Sequence, residues 1–547
     1  MARSIPARIA LFTLTILISI LFFVTALAQR HAPAGIPAVV LKGVLTYHND
    51  NLRTGHNPKE TILTVKNVNS STFGKLFVLS TDGRVDAQTL YAPNIAISGS
   101  GTHNVLFVAT EHDTVYGFDA DNGSPLWHVT MLQSGETPSD NRGCGQVTPE
   151  IGVTSTPVID LAAGPHGTLY VVAMSKDSSG MYHQRLHALD IASGAEQFGG
   201  PVDVAAKYPG TGDNSQGGYV IFDPAQYKER AGLLLLNHAI YTTWASHCDD
   251  RPYTGWVISY NQTTLAQQAV LNVTPNGHDG AIWAAGAGPA ADSAGNIYFL
   301  VGNGTFDTQL DGKGFPVNGD YGNAVMKLST AKGQLAVADY FNMYNTVAES
   351  SADEDLGSGG AMALPNLKDS AGVVHHLVVG AGKDANIYLV NRDNMGKFNP
   401  NNNNQIYQEL TGVLGGGVFS MPAFASNHIY YGAVGDSIRA FAFNGNVQLN
   451  STPTSQTSTR FSFPGATPSI SGNSAANLIL WATENSSPAV LHAYKAQDLS
   501  VELYNSNQAS GGRDHFGDGN KFITPTIANG KVYVGTTNGV GVFGLLP

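Results

Sequence analysis

The unit that decides the fold is clearest between residues 156 and 190, in the segments Thr156-Pro157-Val158-Ile159, Leu169-Tyr170-Val171-Val172 and Leu186-His187-Ala188-Leu189-Asp190. A strand that starts at a Pro leads through a turn to an apolar strand. A polar loop then leads to a third strand that ends in Asp and a Gly turn. Short runs of β-branched and aromatic residues between turn residues are typical of antiparallel strands. The unit therefore predicts three strands of one sheet, and the residues after it supply an outer fourth strand.

The same unit recurs along the chain. A second clear copy starts at Ala92-Pro93-Asn94-Ile95 and ends at Val115-Tyr116-Gly117-Phe118-Asp119. The other first strands are predicted at Leu233, Gly288-Pro289, Ala361, Met421-Pro422, Thr467-Pro468 and Thr524-Pro525. Copies that repeat every 50 to 75 residues or so have the length of four-stranded propeller blades with insertions. The sequence therefore predicts an all-β chain that forms a single eight-bladed β-propeller.

The two ends of the repeat region complement each other. The last copy stops at Pro547 after three strands, whereas the segment Lys75-Leu76-Phe77-Val78-Leu79 precedes the first complete copy without a sheet of its own. A strand near Val540 to Leu545 is the expected partner of that segment. Such a pairing closes the ring and leaves no long sheet edge exposed.

The N-terminus indicates export. Arg3 and Arg8 precede an uncharged apolar run that ends in Ala26-Leu27-Ala28, which is the pattern of a secretory signal peptide. We expect residues 1–28 to be the signal peptide, residues 29–41 a linker and residues 42–547 the propeller. The protein is then secreted, periplasmic or at the cell surface. An uncleaved membrane anchor is the alternative, because the apolar run is long enough to span a bilayer.

Composition limits the partners and cofactors. The formal net charge is −12 and no basic run is present, which argues against nucleic acid and anionic membranes as partners. A small-molecule or glycan ligand on the polar face fits better. Only Cys144 and Cys248 are present, so an exported chain can form a disulfide between them or keep two free thiols. The Cys-x-x-Cys-His pattern of c-type haem attachment is missing, so no haem is expected.

Two segments resemble a known family. Residues 118–127 read Phe-Asp-Ala-Asp-Asn-Gly-x-x-x-Trp and residues 188–194 read Ala-Leu-Asp-x-x-Ser-Gly. Both resemble the blade-docking motif of the pyrroloquinoline quinone (PQQ) alcohol dehydrogenases, and the repeat resemblance covers nearly all of the chain after the signal peptide. It implies the eight-bladed quinoprotein-like propeller, which cofactor-free scaffold proteins share with the enzymes.

The resemblance extends to candidate site residues, which occur in the order the family has them. It implies that Trp283 stacks under the quinone and that Asn303, in Val301-Gly302-Asn303-Gly304, is a Ca²⁺ ligand. It also implies that Asp355 or Asp353 is the catalytic base and that Lys383 holds the quinone oxygens. Quinone-dependent alcohol oxidation requires these residue types, because a flat quinone needs an aromatic face to stack on and a cation to polarise its carbonyl groups. A hard metal ion needs oxygen ligands, and alcohol oxidation needs a base.

Two family features are missing, and other functions stay open. The chain has no pair of adjacent cysteines, and the loop after Val172, at residues 175–180, has no Glu to serve as a Ca²⁺ ligand. The leading interpretation is a PQQ-dependent alcohol or sugar dehydrogenase or a diverged relative. The alternative is a non-catalytic propeller that binds a glycan, peptide or cell-wall partner on its polar rim. A hydrolase or lyase that uses rim His and Asp residues is a third class.

Overall fold

The computed structural model describes Met1 and residues 43–547, so the predicted signal peptide and linker lie outside the described residues apart from Met1. Residues 43–547 are mostly strands, and the α-helix in this part is the short Thr346–Ala352. No helix in this described part is both long and apolar enough to cross a membrane.

Eight antiparallel units of four strands follow one another along the chain, and further short strands pair with the second, fourth and seventh of them. We number the units as sheets in the order of their first strands. Sheet 1 consists of Leu90–Ile97, Gly101–Ala109, Thr114–Asp119 and Pro125–Thr130. Sheet 2 consists of Val158–Asp160, Thr168–Lys176, Tyr182–Asp190 and Val202–Asp203. Sheet 3 consists of Leu234–Leu236, Ala239–Thr243, Trp256–Asn261 and Gln267–Asn272. Sheet 4 consists of Ala290–Ala291, Asn296–Leu300, Ala324–Ser329 and Ala336–Asn342. Sheet 5 consists of Met362–Ala363, Leu377–Ala381, Ile387–Asn391 and Gln408–Leu410. Sheet 6 consists of Ala423–Ala425, His428–Gly432, Asp436–Ala442 and Ser455–Phe461. Sheet 7 consists of Ser469–Ser471, Ile479–Glu484, Val490–Lys495 and Glu502–Asn505. Sheet 8 consists of Thr526–Ala528, Lys531–Gly535, Gly539–Leu545 and Phe73–Ser80.

The remaining elements are short. Accessory strands are His56–Asn57, Thr137–Asp140, Glu150–Ile151, Lys207–Pro209, Ser215–Gln216, Tyr219–Ile221, Tyr227–Lys228, Ala245–Ser246, Leu367–Lys368, Val374–His375 and Lys397–Phe398. Single 3-10 turns are Tyr47–Asn49, Ala284–Gly286, Ala331–Gly333, Leu356–Ser358, Ala475–Asn477 and Ser510–Gly512.

The first strands lie where the repeat predicts them. The first strands of sheets 3 to 8 begin one or two residues after the predicted starts, for example at Ser469 after Thr467-Pro468 and at Thr526 after Thr524-Pro525. The predicted pairing of the two ends is also present, because Phe73–Ser80 runs antiparallel to Gly539–Leu545 from Phe73 opposite Leu545 to Ser80 opposite Gly539. Sheet 8 therefore contains strands from both ends of the described chain.

Apolar side chains pack between consecutive sheets. The second strand of sheet 2, Thr168–Lys176, is buried at every position except Lys176, as expected of a strand covered on both faces. Ile527 and Val532 of sheet 8 pack with Trp481 of sheet 7, whereas Tyr533 and Val540 pack with the core of sheet 1. Sheet 8 thus has a neighbour on each face.

A central segment, residues 44–57, joins all of these sheets. Its backbone and side chains bond to the first strand of each sheet in turn as the segment proceeds. These bonds are Val44 N to Tyr91 O at 2.8 Å, Ile159 N to Leu45 O at 2.8 Å, Asn51 Nδ2 to Leu235 O at 2.9 Å, Ala291 N to Asn51 O at 2.6 Å, Ala363 N to Leu52 O at 3.1 Å, Phe424 N to Thr54 O at 2.8 Å, Ile470 N to Gly55 O at 2.7 Å and Asn57 Nδ2 to Ile527 O at 2.8 Å. The central segment therefore contacts the first strands of all eight sheets in their order along the chain.

Arg53 anchors the central segment, and its loss should destabilise the whole fold. The side chain is fully buried and donates to Thr46 Oγ1 at 2.7 Å, Tyr47 O at 2.9 Å, Pro289 O at 2.9 Å and Leu233 O at 3.3 Å. Arg53→Met leaves these buried acceptors without a donor, so we expect a loss of about 3–5 kcal/mol of unfolding free energy. Denaturant unfolding measures it. The exposed Arg460→Met is the matched control, and an Arg53→Met protein as stable as this control would contradict the anchoring role.

Candidate functional site

A cavity that opens to solvent lies where loops of several sheets meet, and the empty space in it, including its open mouth, is about 560 Å³. Each lining residue belongs either to the segment before a sheet's first strand or to the loop between a sheet's second and third strands. Trp283 and Asp355, for example, precede sheets 4 and 5, and Lys383 lies between the second and third strands of sheet 5. Three of the residues chosen from the sequence, Trp283, Asp355 and Lys383, therefore line one cavity.

Lys383 pairs with both candidate bases. Its Nζ lies 2.7 Å from Asp355 Oδ1 and also contacts Asp353 Oδ1. Burial raises the pKa of Asp355 to about 6, and the Lys383 ammonium opposes that rise. The side chain of Asp353, in contrast, is 69% exposed. Burial alone would lower the pKa of Lys383, but the two carboxylates outweigh it and raise the pKa. Asp355 is thus a buried carboxyl group that titrates just below neutral pH beside a permanent cation.

Asn303 is connected to this pair through Asp353. Its Nδ2 donates to Asp353 Oδ1 at 2.6 Å, while its Oδ1 is buried and accepts no hydrogen bond. Asn303 follows the second strand of sheet 4, as the sequence predicted. A buried carbonyl oxygen without a donor is costly unless another group satisfies it. Together with the neighbouring carboxylate, this oxygen is suited to a hard cation.

Trp283 is held by the backbone around it. The residue precedes the turn Ala284–Gly286, in which Ala284 and Ala285 have φ values of 48° and 51°. Left-handed alanines are strained, and such strain concentrates at ligand sites. A Cβ atom at Gly302 would lie 3.0 Å from Trp283 Cδ1, so the glycine before Asn303 makes room for the indole.

The structure adds a carboxylate that the sequence reasoning missed. Cys144 and Cys248 form a disulfide with Cα atoms 5.6 Å apart, and the next residue, Asp249, lines the cavity. Tyr253 Oη donates to Asp249 Oδ1 at 2.7 Å, and burial raises the pKa of Asp249. The acidic ligand was sought in the loop after Val172, where Lys176 instead pairs with Asp140 at 2.7 Å. Asp249 lies between the second and third strands of sheet 3, and this loop position is the signal that could have identified it.

Aromatic and cationic side chains complete the cavity, and none of them was chosen from the sequence. Phe419, Phe463 and Phe522 form a wall in which the ring centroids of Phe419 and Phe463 are 5.3 Å apart and those of Phe463 and Phe522 are 6.2 Å apart. Arg230 and Lys521 line the cavity beside Phe522. A cavity with flat apolar walls and charged groups suits a flat ligand that carries charge.

Comparisons with solved structures identify the fold. A quinohemoprotein alcohol dehydrogenase from Comamonas testosteroni aligns with a TM-score of 0.61 and 12% identity over 92% of this chain and 80% of that one. A quinohemoprotein alcohol dehydrogenase from Pseudomonas putida HK5 gives 0.60 and 12% over the same shares. A europium-containing methanol dehydrogenase gives 0.58 and 11% over 92% of this chain and 98% of that one.

Comparisons by sequence give no match. No protein-family model matches the chain, and no curated protein matches it either. The assignment therefore rests on structure, and at this level of identity it concerns the fold. The chain has the propeller fold of the quinoprotein alcohol dehydrogenases.

Proposed function

We propose that the protein is an exported dehydrogenase that uses PQQ and Ca²⁺ to oxidise an alcohol or sugar hydroxyl group. The observation that carries the proposal is that Trp283, Asp355 and Lys383, from different parts of the sequence, line one cavity. The similarity in fold to alcohol and methanol dehydrogenases supports it. The wild-type protein supplied with PQQ and Ca²⁺ should reduce an artificial electron-accepting dye when an alcohol is added. A non-catalytic binding propeller would not.

The residues present fit both groups. Trp283 offers a flat indole face and Lys383 a cation that can hydrogen-bond to quinone oxygens. The unsatisfied Asn303 Oδ1 and the carboxylates of Asp353 and Asp249 provide oxygen ligands of the kind that Ca²⁺ takes. Asp249, which lines the cavity, would supply the acidic oxygen that the loop after Val172 lacks. When bound, PQQ supplies the group that accepts the electrons of the substrate.

The chain's own groups provide the proton chemistry. The Asp355 carboxylate accepts the proton of the substrate hydroxyl, and its pKa of about 6 keeps it ionised at neutral pH. Lys383 balances that negative charge and keeps Asp355 oriented through the 2.7 Å contact. The rings of Phe419, Phe463 and Phe522 give the cavity an apolar wall beside these groups.

For the architecture, we propose that sheets 1 to 8 are the blades of a closed eight-bladed ring. Three observations support it. The central segment meets the first strand of every sheet in order, Phe73–Ser80 pairs with Gly539–Leu545, and sheet 8 shares apolar cores with sheets 7 and 1. The ring brings loops of sheets 2 to 8 to one cavity.

Replacing Trp283 tests the stacking role. Trp283→Ala should weaken PQQ binding by about 2 kcal/mol, or roughly 30-fold, because the flat apolar contact is lost. Equilibrium dialysis with PQQ and Ca²⁺ measures the change. Trp127→Ala removes an indole from the outer strand of sheet 1 and should leave the affinity unchanged in the folded protein. Equal PQQ affinity of the Trp283→Ala and wild-type proteins would rule out stacking on this residue.

A further inference from the structure

Arg230 is a buried cation in the wall of the cavity. The residue is only 6% exposed. Its guanidinium carbon lies 4.3 Å from the ring centroid of Phe522. Nη2 is buried and unsatisfied, and in the described part of the chain the guanidinium has no hydrogen bond or ion pair. A charge removed from water in this way is unfavourable unless a counter-ion reaches it.

The side chains around Arg230 leave an excess of positive charge. Lys521 lines the same cavity, and its Nζ donates to the backbone carbonyl of Gly145 at 3.3 Å. Lys228, two residues before Arg230, is 1% exposed, and burial lowers its pKa to about 7. Asp86 and Glu111 are the carboxylates that act on Arg230 electrostatically.

Both carboxylates have hydrogen-bond donors of their own, although the buried Oε1 atom of Glu111 has none among the described residues. Asp86 accepts from Asn520, and Glu111 accepts from Gly152 N at 2.8 Å and Thr154 Oγ1 at 3.0 Å. Burial and the neighbouring Asp86 raise the pKa of Glu111 well above its usual value, so Glu111 takes up a proton more readily than an exposed glutamate. The carboxylates near Arg230 therefore do not neutralise it together with Lys521 and Lys228.

We propose that Arg230 and Lys521 form an anion subsite that binds a carboxylate of a flat aromatic ligand. A guanidinium presents paired N–H groups that match a carboxylate, and Phe522 and Phe463 offer an aromatic surface next to it. The subsite is separate from Lys383, whose charge is already balanced by Asp353 and Asp355. It lies in the same cavity as the proposed PQQ site, and the carboxylate belongs either to the cofactor or to a second ligand such as an acidic substrate.

The experiment compares a charged and a neutral probe of equal shape. Isothermal titration calorimetry should show that wild-type protein binds 2-naphthoate at least tenfold more tightly than 2-naphthamide. Arg230→Met should remove this preference, Arg230→Lys should keep part of it, and Lys521→Met should reduce it. Arg460→Met, on the exposed surface, should change nothing. A wild-type protein that does not bind 2-naphthoate, or an Arg230→Met protein that binds it as tightly as wild type, would overturn the subsite.

Thermal unfolding separates a ligand site from a structural role. Since Arg230 donates no hydrogen bond to the residues that the structure describes, Arg230→Met should unfold at the wild-type temperature or above it. Replacement of a structural arginine such as Arg53 would instead lower the unfolding temperature. A lower unfolding temperature for Arg230→Met, together with unchanged 2-naphthoate binding, would assign the residue to folding and refute the proposal.

PQQ identifies the source of the carboxylate. If the cofactor supplies it, PQQ displaces 2-naphthoate, and Arg230→Met lowers PQQ affinity at least tenfold. If PQQ and 2-naphthoate bind together, the carboxylate belongs to a second ligand. Binding of 2-naphthoate without any binding of PQQ would leave the subsite standing and end the proposed quinone function. If PQQ binds wild type and Arg230→Met with equal affinity and 2-naphthoate does not bind, the anion subsite is refuted and the proposed quinone function stands.

Discussion

Asp355→Asn should lower alcohol-dependent dye reduction by roughly 10²- to 10⁴-fold, the range that a general base contributes. The amide keeps the shape of the carboxyl group but cannot accept the substrate proton, so PQQ affinity should be nearly unchanged. Burial raises the pKa of Asp355 to about 6, so the carboxylate form is present above that pH and is lost as the pH falls through it. Wild-type turnover should therefore drop below pH 6.

Asp353→Asn is the matched control, since both carboxylates contact Lys383 and only Asp355 is buried. This variant should lose less activity than Asp355→Asn and should keep the fall in turnover below pH 6. Dye reduction measured from pH 5 to pH 8 compares the three proteins. Full activity of Asp355→Asn would show that Asp355 is not the base. The same conclusion would follow if the fall in turnover below pH 6 were lost only in Asp353→Asn.

Removing the last strand should have the largest effect on the fold. A chain that ends at Asn538 lacks Gly539–Leu545, which pairs with Phe73–Ser80 on one side and with Lys531–Gly535 on the other. The buried residues Val540, Val542 and Phe543 are lost with it. Both neighbouring strands then expose free edges, and sheet 8 no longer bridges sheets 7 and 1. We expect insoluble or unfolded protein.

The control for this truncation is a chain that lacks only Pro547, which is exposed and lies beyond the last strand. Expression, solubility and thermal unfolding of the two proteins give the comparison. If the chain that ends at Asn538 were soluble and unfolded at the wild-type temperature, the two ends would not close the ring.

The strand plan could be predicted from the sequence because each copy carries local signals. A Pro-containing first strand such as Thr467-Pro468 and a Gly turn such as Ser193-Gly194 mark the ends of strands without reference to the rest of the chain. The central segment could not be predicted. It bonds to the sheets mainly through backbone atoms, as between Ile470 N and Gly55 O, and these carry no sequence pattern.

Some residues of the candidate site could likewise be predicted from the sequence, and others could not. Trp283, Asn303, Asp355 and Lys383 could be chosen because they follow the order of a known family. Arg230 could not, because its importance comes from burial without a hydrogen-bond partner in the described part of the chain, which only packing reveals. Asp249 was missed because its approach to the cavity depends on the Cys144–Cys248 disulfide and on left-handed backbone at the consecutive residues Cys248 and Asp249.

The most direct test of the account is whether the folded wild-type protein binds PQQ at this cavity. Equilibrium dialysis of PQQ with the protein in Ca²⁺ should give saturable binding of one PQQ per chain. The binding should weaken when a chelator removes the metal, because Asn303 and the neighbouring carboxylates then lack their cation. No saturable binding of PQQ with Ca²⁺ present would contradict the quinoprotein account and favour a non-catalytic binding propeller.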